Sequence, residues 1–173
     1  VGDLAELRGI LGKDRFSELH KAEGLVSHGA AIGAYAYLRR VLENVIERHR
    51  LEYETENGSI EGYGQKRMAE KIEALKSTLP KAVTDNSVIY SILSAGIHTL
   101  NEETCAEYYP VVRAALVSIL RQDLRRQQEV DDARKLKLAM SAAATKVNAS
   151  TAPKGGITTP KGGITTKAKK QGV

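Results

Sequence analysis

Between Ala31 and Ile46 the apolar residues recur in steps of three and four: Ala31, Ala34, Leu38, Val41, Leu42, Val45 and Ile46. At 3.6 residues per turn this spacing draws one continuous stripe along a helix; on a strand it draws none. A chain that carries such a stripe must bury it, and other helices are the natural cover. Two further stripes supply them. One is Met68, Ile72, Leu75 and Leu79, closed by Pro80; the other is Val88, Ile89, Ile92, Leu93 and Ile97. A fourth set, Val112, Ala115, Leu116, Ile119 and Leu120, follows a helix start. No strand pattern competes, so the expected fold class is all-α, a bundle of about four to five helices. Aromatics are only 5% of the chain, with one Phe and no Trp. Leu, Ile, Val and Ala must therefore fill the core.

The ends of these helices are written in polar and small residues. Asp3 to Leu11 reads as a short helix stopped by Gly12, and Asp14 as the cap of a helix from Arg15 to about Val26. Ser27 can restart the chain into the first stripe, whose helix should end near Tyr53, before the sequence TENGS. Thr84 or Asp85 is placed to cap the helix that begins near Val88. Gly96 sits near that helix's end, where a left-handed residue is useful. Asn101 is a good cap for the next helix, and Thr99-x-x-Glu102 has capping-box spacing. Glu102 and Glu103 would then face the positive end of the helix dipole. Pro110, inside the following stripe, predicts a kink or a short helix before it.

After Leu120 apolar residues thin out to Leu124, Val130, Leu136 and Leu138. This predicts a long C-terminal helix over 121–150, either solvated or paired weakly with another chain. The last 23 residues change character again. PKGGITT occurs at 153–159 and again at 160–166, and Lys154, Lys161, Lys167, Lys169 and Lys170 stand there with no acid. Gly, Pro, Thr and Lys without periodic apolar residues bury too little surface to offset the backbone entropy of ordering, so 151–173 is expected to be disordered. Those five lysines account for the whole formal charge of +5. The basic pI thus belongs to the tail, and residues 1–150 are balanced. The organisation expected is 1–13 as the end of an upstream region, since the chain begins at Val1 rather than Met, then a bundle over 14–120, the extended helix and the tail.

Chemistry-bearing residues are few. His98 and Cys105, seven apart, are the nearest thing to a nucleophile pair, but the thiol needs a base at hand and the histidine lies before the cap. The other reading, a buried structural cysteine beside a helix junction, suits the pattern better. The four histidines, His20, His28, His49 and His98, never stand at i, i+4, and there is no second cysteine, so neither a metal site nor a cofactor is expected. One cysteine makes no internal disulfide, which fits a reducing, cytoplasmic setting. No apolar run approaches the length of a membrane span. Arg39 and Arg40 are each spaced to pair with Glu43 or Glu47. Arg121, Arg125 and Arg126, with the five tail lysines, are the candidates for non-specific phosphate contact, and a solvated face explains them equally well.

The segment AAIGAYAYLRRVLENVI (Ala30–Ile46), together with AGIHTLNEETC (Ala95–Cys105), resembles the bacterial HEPN-like helical modules over about Phe16 to Leu120. The resemblance implies a bundle of about four helices that often dimerises and is frequently found in defence or toxin systems. It also implies, in active members, a metal-independent ribonuclease with an Arg-x(4–6)-His motif. Here the only match in spacing is Arg15 to His20. It lies at the amino end, Phe16 stands where a polar neighbour is usual, and residues five apart do not share a helix face. The reading that follows is a non-catalytic helical interaction module, acting as a homodimer or with a protein partner. The alternatives are a ribonuclease of that kind and a nucleic-acid binder that grips through its tail.

Overall fold

The computed structural model describes residues 4–151, with side-chain surroundings as far as residue 150. Among these residues there are six helices and no strand: α1 Arg8–Ser27, α2 Ala31–Asn57, α3 Met68–Ala74, α4 Lys81–Asp85, α5 Val88–His98 and α6 Glu102–Thr151. Short 3-10 turns stand at Ala5–Leu7 and Tyr63–Gln65. The all-α expectation holds, with more helices than the four or five expected. Thr151, the first residue of the tail expected to be disordered, is the last residue of α6; Asp3 and the rest of that tail, with its lysines, lie outside the described residues.

The apolar stripe from Ala31 to Ile46 is the centre of the core. All seven of its residues are buried on α2, joined there by Tyr35 and His49. Each buried Leu or Val contributes about 1.5–3 kcal/mol relative to an exposed one. α1 and α5 pack against α2. The amino-terminal residues belong to this core and not to a separate segment, because Leu4, Leu7, Ile10 and Leu11 are all buried. Packing also continues past Leu120, as far as the buried Asp123, and the compact unit ends at Ala133. The boundaries expected at 13 and 120 therefore cut through packed structure.

Gly12 does interrupt the first helix. Its φ of 70° and ψ of 173° break the helical path within α1. That conformation is all but closed to residues with a side chain. Gly96 works differently from its expected role. It is helical, not left-handed, and a Cβ built on it would stand 2.1 Å from Cδ1 of Tyr35. The fully buried Tyr35 ring lies on the bare backbone of α5 at this point. Its hydroxyl finds no hydrogen-bond partner, and burial, then the neighbouring Cys105, pushes its pKa up to about 12.

Several helix ends also depart from expectation. Ser27 closes α1, and its hydroxyl donates to the Glu23 carbonyl. α2 starts at Ala31 without a cap of its own and runs to Asn57, past the expected end at Tyr53. Its missing cap comes from afar: the Glu102 carboxylate accepts the Ile32 amide at 2.9 Å. Glu102 thus serves α2 and forms no capping box with Thr99, whose hydroxyl donates to the Ala95 carbonyl. Asn101 caps α6 as expected, its Oδ1 accepting the Thr104 amide at 2.8 Å. Thr84 and Asp85 lie inside α4 and do not cap α5. α6 runs through Pro110 as one helix of 50 residues, with no short helix before the proline. Arg39 pairs with Glu43 at 2.9 Å and donates to the Tyr90 hydroxyl, whereas Arg40 reaches across to Glu18 on α1 at 3.8 Å.

Candidate functional site

Two apolar stripes carry a polar residue where a Leu would be expected. On α2 the run Val45, Ile46 is followed three positions later by His49; on α6 the run Ile119, Leu120 is followed by Asp123. The helices bring these two together. His49 is fully buried, Asp123 is 1% exposed, and Nε2 of the histidine stands 2.9 Å from Oδ1 of the aspartate. Burying such a pair is costly unless the remaining polar atoms are also answered.

Three more side chains answer them. Arg48 donates through Nη2 to Asp123 Oδ2 and through Nη1 to the Ile10 carbonyl at 2.5 Å, close to the Gly12 break. Arg126 donates from Nη2 to Glu52 at 2.6 Å, and that same nitrogen stands 3.5 Å from His49 Nδ1. Its Nε is 3.7 Å from Asp123 Oδ1 and lacks a hydrogen-bond partner. Burial alone would raise the Asp123 pKa. The hydrogen bond from His49 and the charges of Arg48, His49 and Arg126 outweigh that effect and hold it below the usual carboxylate value. The contact with the Asp123 carboxylate is met by an N–H on Nε2. Outside the Glu52–Arg126 pair lies an open depression of about 400 Å³, lined by Glu52, Thr55, Glu56, Arg126, Gln127, Val130 and Asp131.

A histidine held by an aspartate through one nitrogen has the parts of a general base. Here the other nitrogen is covered by Arg126 and Glu52, and no surface of the ring meets solvent. As it stands the network fastens α2, α6 and the start of α1 together. Among the described residues no group of three or more His, Cys, Asp or Glu is arranged to hold a metal.

The residues singled out in the sequence are dispersed. Cys105 is buried, and its thiol contacts the Gly96 carbonyl at 3.5 Å, not His98, which is exposed at the end of α5. Burial, then the charge of Glu102, pushes the thiol pKa up, away from the reactive thiolate. Arg15 donates to Glu18 at 2.7 Å and lines a charged groove of about 480 Å³ with Arg40, Glu43, Asn44 and Glu47. His20 is not part of that groove; its ring meets Phe16 edge-on, with centroids 4.6 Å apart. Of the three arginines clustered on α6, Arg121 is occupied by Glu6 at 2.7 Å and Arg126 by Glu52. Arg125 is exposed between two depressions. Lys154, Lys161, Lys167, Lys169 and Lys170 lie outside the described residues.

The His49–Asp123 network was missed in sequence because its halves lie 74 positions apart. The signal was present in each half alone: a polar residue continuing an apolar stripe at the next step of three.

Among the described residues no helix is long and apolar enough to cross a membrane. Comparison with protein-family models, with curated proteins and with solved structures finds no match, so the functional reading stands on these residues and their geometry.

Proposed function

We propose that the chain is a helical interaction module that works by pairing with a second copy of itself, and that its polar residues fasten the bundle instead of performing catalysis. One observation carries this reading. From Gln127 to Ser150 every residue of α6 is exposed, 24 in succession, and Val130, Met140 and Val147 are each more than half exposed. Helices of this kind draw most of their stability from a packed face and not from propensity. A solvent-exposed stretch that stays helical for so long is suited to being covered. The resemblance to the HEPN-like modules, which often dimerise, points the same way.

Light scattering on the full chain from about 1 to 100 µM is the direct test. A mass of twice the chain's supports the reading, and a strict monomer over that range removes it. The ribonuclease alternative is addressed by incubation with structured and single-stranded RNA. Cleavage abolished by His20→Ala, His98→Ala or His49→Ala, in variants shown to fold, would replace the proposal with an enzymatic one.

A further inference from the structure

The packed half of α6 uses a 3–4 seam: Tyr109, Val112, Leu116, Ile119 and Asp123 are buried at successive steps of three and four. The same steps carried onward, through Arg126, fall on Val130, Ala133, Lys137, Met140, Ala144 and Val147. The sequence therefore continues a coiled-coil seam into the exposed stretch. The order of sizes along it is nearly the same from either end. Reading inward, each end gives Val, then Ala, then a long unbranched side chain.

We infer that residues 127–150 pair antiparallel with the same residues of a second copy, about a midpoint between Leu138 and Ala139. This deepens the dimer proposed above and rests on it. In that register Val130 meets Val147 of the second copy, Ala133 meets Ala144, and Lys137 meets Met140. Every seam position faces the opposite type of seam position, as antiparallel helices require. The methylene stem of Lys137 lies along Met140 and carries its ammonium outward. Parallel pairing in register sets Lys137 against Lys137, two like charges in one layer of the seam. Antiparallel pairing moves the two lysines one layer apart, about 4.5 Å along the axis, and so favours that direction. The paired stretch is about 36 Å long at 1.5 Å per residue and uses only residues that are exposed in the chain.

Cysteine cross-linking of the full chain tests both direction and register. Val130→Cys and Val147→Cys are expressed separately and together, with the wild-type chain, whose Cys105 is buried, as background. Antiparallel pairing holds two copies of Cys at 130 about 25 Å apart, far beyond disulfide reach, and brings positions 130 and 147 face to face. A disulfide-linked dimer is therefore expected in the co-expressed sample and only background in either variant alone. Cross-linking of each variant to itself establishes the parallel arrangement and overturns the inference. A dimer by light scattering with no cross-link in any sample removes α6 as the interface and leaves the dimer itself standing. A monomer removes both. As a second arm, Met140→Lys faces lysine with lysine and should weaken the dimer more than about tenfold, whereas Lys137→Met should tighten it. Circular dichroism of both variants should match wild type at concentrations where each is dimeric, since neither position is in the bundle core. Equal association of the two counts against the register.

Discussion

Two halves of α6 meet opposite surroundings. Up to Asp123 the helix presents Tyr109, Val112, Leu116, Ile119 and Leu120 to a packed interior, and it closes that seam with a carboxylate tied to Arg48 and His49. From Gln127 to Ser150 the same helix has no buried residue, although its 3–4 seam continues without a break. Periodicity alone does not decide what a helix covers. The packed half has larger apolar side chains and a polar anchor that only one partner, α2, can satisfy. The exposed half has smaller ones and no such anchor, which suits a contact that forms and separates.

The largest expected effect lies in the anchor. Asp123→Ala leaves the buried His49 without its acceptor and takes from the half-buried Arg48 its carboxylate partner, and should cost about 3–5 kcal/mol in chemical denaturation. Replacing both His49 and Asp123 by Leu should recover most of that loss, which would show that the pair specifies packing more than it adds stability. The same carboxylate gives the bundle an acid limit. Its folded pKa lies below the unfolded value of about 3.9, so its contribution is complete above that pH and disappears as pH falls through the depressed folded value. Unfolding midpoints measured downward from pH 5 should drop more steeply for the wild-type chain than for the double Leu variant.

Next in size is Gly96→Ala. A Cβ there forces the buried Tyr35 ring aside, with an expected loss of about 1–3 kcal/mol or more. Tyr35→Phe acts in the opposite direction. It removes a buried hydroxyl that has no partner and should stabilise the fold by about 1 kcal/mol in thermal melts. The smallest effect sharpens the comparison most. Leu138 and Met140 are almost equally exposed, 65% and 64%, but only Met140 lies on the seam. Leu138→Ala should change stability by less than about 0.5 kcal/mol and leave association unaltered. If it weakens the dimer as much as a substitution at Met140, the seam is misplaced.

Much of the bundle was legible because burial is written as spacing. The α2 stripe, the Gly12 break and the Asn101 cap each depend on residues within one or two turns of one another. What escaped depends on distance along the chain. Glu102 carries the spacing of a local capping box, yet its carboxylate answers an amide 70 positions earlier. His49 and Asp123, 74 positions apart, are each a lone polar residue on their own apolar stripe. α4 is five residues long, too short for a periodic signal. Gly96 was read for its own backbone freedom, while the structure uses its lack of a side chain to admit a ring from another helix. At the site, local reading brought forward His98 and Cys105 because they are neighbours in sequence, and the fold gave each a different neighbour.

The Glu102 contact has a bearing on how the molecule is made. Synthesis delivers α2 long before the residue that completes its first turn, and the acceptor for Arg48 and His49 arrives later still. While the ribosome is still short of Glu102, the central rod waits with an unanswered amide at one end and two unmatched polar side chains near the other. α6 supplies both the acceptor for the Ile32 amide and the carboxylate for His49, so these polar contacts of the bundle are complete only once α6 is in place.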